Sequence, residues 1–132
     1  MNAKAGEKPQ LPYEMIGGRE AVHRIVNRFY DLMENDPRYA ALRALHAEDL
    51  TPMRASLSGF LTGWLGGPRD WFDERPGVCV MSAHAQVPID SETARQWMDA
   101  MAEAMTGSGV DPALAAKINE AFAQMATGMK RG

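Results

Sequence analysis

His84 is the side chain in this sequence most open to chemistry. It lies in Met81-Ser82-Ala83-His84-Ala85-Gln86-Val87-Pro88-Ile89, just before a helix start at Ser91, and Trp97 follows thirteen positions later. The chain has three histidines, so a histidine-dependent function has few places to reside. A neutral imidazole is the usual protein ligand for haem iron. By itself His84 is equally a satisfied core histidine or a helix-end cap. Tyr30 offers a phenol, Trp97 an indole N–H that can only donate, and His46 an imidazole beside the polar turn Ala47-Glu48-Asp49. Arg54 is either a rim cation or a solvated helix-face residue. His23 lies on a polar helix side and is assigned no role. The lone Cys79, between valines, is first a small buried apolar residue and only second a thiol nucleophile. Three scattered histidines do not make the ligand set of a di-iron or zinc bundle.

The elements that must position these groups are helical. Tyr13 to Ile16 is a short segment ended by Gly17-Gly18. From Arg19 to Glu34, Val22, Ile25, Val26, Phe29 and Met33 keep the i, i+3, i+4, i+7 spacing of a buried stripe. Phe29 and Tyr30 are adjacent, so one of the two is expected to face inward. Asp36-Pro37 opens a short helix to about Leu45. Thr51-Pro52 opens one to about Leu65, with Met53, Leu57, Phe60, Leu61 and Trp64 on one stripe, stopped by Gly66-Gly67-Pro68. Ser91 opens a helix with Trp97, Met98, Met101, Ala104 and Met105 inward, ended around Thr106 to Gly109. Asp111-Pro112 opens the last, with Leu114, Ile118, Ala121, Phe122, Met125 and Met129 inward. Val78-Cys79-Val80 is the sole strand candidate and too short for a sheet. The segment from Arg69 to Pro88 is irregular yet apolar, with Trp71, Phe72, Val78, Val80 and Met81. A packed loop of that length carrying His84 suggests a ligand wall.

Composition sets the remaining bounds. The chain has 132 residues, suiting one domain, and 45% are apolar. A net charge of −3 without a basic face argues against nucleic-acid binding. One cysteine fits a reducing compartment. No stretch approaches a membrane span, and Met1 to Gln10 lacks the apolar core of a signal peptide. A cytoplasmic protein is expected, with residues 1–12 a disordered extension and 13–132 the folded domain. Ten methionines suit irregular cavities, including those around flat ligands.

The ordered set of motifs resembles the group II truncated haemoglobins. It comprises Tyr13-Glu14-Met15-Ile16-Gly17-Gly18, Val26-Asn27-Arg28-Phe29-Tyr30-Asp31-Leu32-Met33 and Leu42-Arg43-Ala44-Leu45-His46. It continues with Phe60-Leu61-Thr62-Gly63-Trp64-Leu65-Gly66-Gly67-Pro68, His84-Ala85-Gln86-Val87-Pro88-Ile89 and Ala94-Arg95-Gln96-Trp97-Met98. The resemblance runs from about Tyr13 to Lys130. It differs at Ala83, where many relatives carry a basic residue.

That resemblance implies an all-α, two-over-two helical sandwich around one haem b (iron protoporphyrin IX). It implies His84 as the iron ligand, and Tyr30, His46, Met53, Leu57 and Trp97 on the distal side. His46 would serve there as a second hydrogen-bond donor. Haem packing would fall to Met53, Leu57, Phe60, Leu61, Trp64, Met81, Ile89, Trp97 and Met101, though each is also a plain core candidate. The implied ligand is dioxygen or another small molecule such as nitric oxide, carbon monoxide, cyanide or sulfide. Nitric oxide dioxygenation or peroxide chemistry would need an external reductase, so enzyme status stays open, as does monomer or homodimer. The alternative is a haem-free globin-like sensing or interaction domain.

Overall fold

The computed structural model describes residues 11–76 and 90–129, the side chains of 125–129 excepted. Its helices are α1 (Pro12–Ile16), α2 (Gly18–Asn35), α3 (Ala40–Arg43), α4 (Thr51–Trp64), α5 (Asp70–Asp73), α6 (Ser91–Gly107) and α7 (Pro112–Met129), with a 3-10 turn at Pro37–Tyr39. The described residues contain no strand. None of their helices is long and apolar enough to cross a membrane.

Local signals account for most of these boundaries. Gly17 ends α1 at φ 116°, a left-handed conformation that glycine adopts without strain, and its N–H reaches the Glu14 carbonyl. Asp36 caps the 3-10 turn by accepting from the Arg38 N–H at 3.0 Å. Asp90, one residue ahead of the expected start, caps α6. Its carboxylate accepts from the Thr93 N–H at 2.8 Å, while the Thr93 hydroxyl oxygen accepts from the Asp90 N–H at 3.0 Å.

Two pairs of helices make the layers. α2 packs on α4, α6 packs on α7, and α2 lies across α6. Val22, Ile25, Val26, Phe29 and Met33 of α2 meet Ala100, Met101, Ala104 and Met105 of α6 in one core, joined by Ile118 and Phe122 of α7. Ala100 and Ala104 have no exposed surface, and their small side chains leave room for the larger α2 residues.

The region from Pro37 to His46 differs from the single helix expected to about Leu45. It is a 3-10 turn followed by one helical turn ending at Arg43. So short a helix has little stability of its own, and tertiary ties hold it instead. The buried Tyr39 donates its hydroxyl proton to Glu103 at 2.8 Å, and the Arg38 guanidinium donates to the same carboxylate at 2.8 Å. The segment expected to be irregular begins with α5, whose rings fit against glycines of α4. A Cβ on Gly59 would sit 2.8 Å from Trp71, and one on Gly63 would sit 2.6 Å from the Phe72 ring.

Candidate functional site

Tyr30 is 3% exposed, near the end of α2. Phe29 is fully buried beside it, so both rings are enclosed, not one. α2 is covered from more than one direction, by α4, α6 and the α3 region, so no narrow stripe limits what it can bury. The two rings meet edge to face at 5.0 Å. No described residue hydrogen-bonds the Tyr30 hydroxyl. Burial pushes the phenol up to about 12, partly offset by the positive charge of Arg54, so it stays protonated and able to donate.

Trp97 reaches the same region from α6. Its ring packs edge to face on Phe29 at 5.3 Å and on Phe122 at 5.1 Å. It is half-buried, and its indole N–H also has no partner among the described residues. Among the described residues the fully buried side-chain atoms without a hydrogen bond are Ser108 Oγ and Asn119 Oδ1, so the Tyr30 and Trp97 donors keep some access to solvent.

His46 closes the other side of Tyr30, its ring edge-on at 6.0 Å and 81°. Its Nδ1 lies 2.9 Å from the Leu42 carbonyl oxygen. A carbonyl only accepts, so Nδ1 carries the proton. The Nδ1–H is thus engaged with the backbone and not offered to the space beside Tyr30.

Arg54 is ion-paired and not simply solvated. It folds back onto α2, its guanidinium donating to the Asn27 carbonyl at 3.2 Å, Asn27 Oδ1 at 3.1 Å, Asp31 at 2.9 Å and Glu34 at 3.2 Å. It also stands 5.7 Å over the Tyr30 ring. These contacts make it a clamp between α4 and α2.

The haem-packing candidates separate by burial. Leu57, Phe60 and Trp64 are half-buried against the core. Leu61 at 2% and Met101 at 0% are closed over by protein. Met53, in the first turn of α4, is 38% exposed and not enclosed with the rest of its stripe. Met81, His84 and Ile89 lie outside the described residues.

Rings from four helices and one turn form a continuous arc. It runs His46, Tyr30, Phe29, Trp97, Phe122, Trp64, Phe60, with Trp64 stacked on Phe122 at 4.7 Å and near Phe60 at 6.3 Å. Phe29 and Phe122 enter this arc although the sequence marks them only as core positions. Two open surface grooves, of about 720 and 610 Å³, flank Arg28 and Leu32 on α2 and α6 and include none of the arc. The arc, whose Tyr30 and Trp97 donors have no partner among the described residues, is the better site.

A helical two-over-two sandwich with a phenol and an indole N–H beside an apolar aromatic wall defines a globin of the truncated type. The chain belongs to the bacterial-like globin family, whose model matches residues 12–131. It is 31% identical over 106 residues to the group 2 truncated hemoglobin YjbI of Bacillus subtilis (strain 168), covering 80% of this chain and 77% of that protein. Its structure is similar to the group II 2-on-2 hemoglobin of Agrobacterium tumefaciens, with a TM-score of 0.90, 28% identity, and 96% and 98% of the two chains covered. It is also similar to the cold-adapted truncated hemoglobin of Pseudoalteromonas haloplanktis TAC125, with a TM-score of 0.88, 31% identity, and 93% and 99% covered.

Proposed function

We propose that this globin carries one haem b with His84 as its iron ligand and holds dioxygen or another small ligand beside Tyr30 and Trp97. The carrying observation is the Tyr30 phenol, buried and protonated with no partner among the described residues. The residues fit such a group: half-buried Leu57, Phe60, Trp64 and Trp97 offer apolar surface to a flat macrocycle, and two unpaired N–H and O–H groups stand beside it. When bound, haem supplies an iron that takes up a diatomic ligand. Tyr30 and Trp97 then donate hydrogen bonds to its partly negative atoms. His46, edge-on to the Tyr30 ring, bounds the same space. Leu61 and Met101 back the wall from the core, and Met53 limits access at its more exposed end. The assignment of His84 rests on its place in the sequence.

Donors that hold a ligand lengthen its stay, since affinity within a family resides mostly in dissociation. Slow release suits conversion better than delivery, such as nitric oxide dioxygenation or peroxide chemistry. Electrons would come from an external reductase in a reducing, cytoplasmic setting, with the globin as monomer or homodimer. An absorption spectrum tests the reading. The purified or haem-reconstituted protein should show a Soret band that is lost in His84→Gly and restored by added imidazole. No haem uptake on reconstitution would overturn it in favour of a haem-free interaction domain.

A further inference from the structure

Two polar side chains are buried in the described core, Thr93 and Gln96. Thr93 belongs to the cap of α6. Gln96 has no such local task. It stands one residue before Trp97 at 6% exposure, and its side chain leaves α6 for a distant part of the chain. Its Oε1 accepts from the Leu42 N–H at 3.0 Å, a buried bond across 54 residues. Its Nε2 donates to Glu92 Oε2 at 2.9 Å, one turn back on α6. An N–H can only donate and a carboxylate only accepts, so these two partners fix which end of the amide points where.

Leu42 is the third residue of α3. The first N–H groups of a helix have no intrahelical partner, and a buried one must find a partner elsewhere. Gln96 supplies it from another helix. The same residue, Leu42, takes the His46 Nδ1–H on its carbonyl at 2.9 Å. Leu42 is therefore tied at its N–H to α6 and at its C=O to the imidazole that stands over Tyr30.

We infer that Gln96 is a positioning residue for the ligand side of the pocket. By anchoring Leu42 it holds the carbonyl that accepts from the His46 Nδ1–H, and so the proton on that nitrogen. One turn of α6 thus sets two groups: Trp97 directly, and His46 through Gln96. The functional weight of this inference rests on the ligand pocket proposed above; the anchoring of His46 does not.

The test is imidazole nitrogen NMR and amide exchange on the protein as purified, in the ferrous carbon-monoxide form where haem is carried. Wild-type His46 should be the Nδ1–H tautomer, with a protected Leu42 amide. Gln96→Met keeps length and apolar bulk but removes both amide atoms. It should convert His46 to a tautomer mixture and speed Leu42 exchange about tenfold, the loss of one ordinary hydrogen bond. The exchanged pair Glu92→Gln with Gln96→Glu keeps an acceptor toward Leu42 and a donor between the two side chains, and should restore both signals. In haem-loaded protein, carbon monoxide dissociation should move with the tautomer and return with the exchanged pair.

An Nε2–H tautomer in the wild type overturns the inference, even where Gln96→Met fails to fold. So does a folded Gln96→Met with His46 unchanged, or a changed tautomer with unchanged ligand dissociation. Absence of haem would sink the ligand-binding proposal while leaving the tautomer and exchange results to decide the anchoring.

Discussion

Replacing Tyr30 by Phe isolates one hydroxyl. It sits on a residue that is 3% exposed and hydrogen-bonds to no described residue. The hydroxyl is not one of the fully buried unpartnered atoms of the described residues, so the fold alone gains and loses little from it. In a ligand complex it is a neutral donor facing partial negative charge, and losing such a bond costs about 1–3 kcal/mol. Dissociation of dioxygen should therefore accelerate roughly 5- to 150-fold. The phenol is protonated up to about pH 12, so the acceleration should be the same at pH 6 and pH 9. Unfolding of the ligand-free ferrous protein should keep its midpoint to within about 0.5 kcal/mol. Stopped-flow displacement of dioxygen by carbon monoxide and urea unfolding measure the two quantities. An unchanged dissociation rate, or a fold weakened by several kcal/mol, would show that the hydroxyl serves the core and not a ligand.

Trp97→Phe should also speed dioxygen dissociation, and the double variant with Tyr30→Phe should exceed either alone; a double variant matching wild type would refute the distal assignment. Stability should fall at high pH. Tyr30 and Tyr39 both have phenols raised to about 12 from 10.0, by burial first and for Tyr39 also by its bond to Glu103. The folded chain keeps these protons where an unfolded tyrosine loses its own. Each therefore removes up to about 1.4 kcal/mol per pH unit as pH rises from about 10 to about 12. Urea titrations across that window should show the slope, and Tyr30→Phe should flatten it by one tyrosine's share. Gly63→Ala should cost roughly 1–3 kcal/mol, because its Cβ would press within 2.6 Å of the Phe72 ring. A thermal melt unmoved by that change would mean that α5 does not pack on α4 as described.

Much of the fold was legible before any coordinates. The apolar spacing of Val22, Ile25, Val26, Phe29 and Met33, the Asp-Pro starts at Asp36 and Asp111, and the Gly17-Gly18 stop are local signals. They act within one or two turns, so the chain states them wherever it lies. Tyr30, His46 and Trp97 were also nameable from residue type and order, and their rings do come together. That same local logic misjudged Phe29 and Tyr30, because a stripe rule allows a helix one buried face and α2 is covered from several.

Only the tertiary structure decided which donors are already used. Arg54 looks like any helix-face arginine until α2 offers Asn27, Asp31 and Glu34 to it. Gln96 looks like a polar helix residue until Leu42 arrives from 54 positions away. His46 could donate from either nitrogen until the Leu42 carbonyl claims Nδ1. Gly59 and Gly63 look like weak points in a helix until Trp71 and Phe72 settle on them. In each case the side chain's chemistry is written in the sequence. Its partner depends on which helices meet, and packing of the whole core fixes that. The sequence determined a helical domain with a histidine, a phenol and an indole in a recognisable order. The fold decided that, among the described residues, the phenol and the indole have no hydrogen-bond partner while the arginine and the glutamine do.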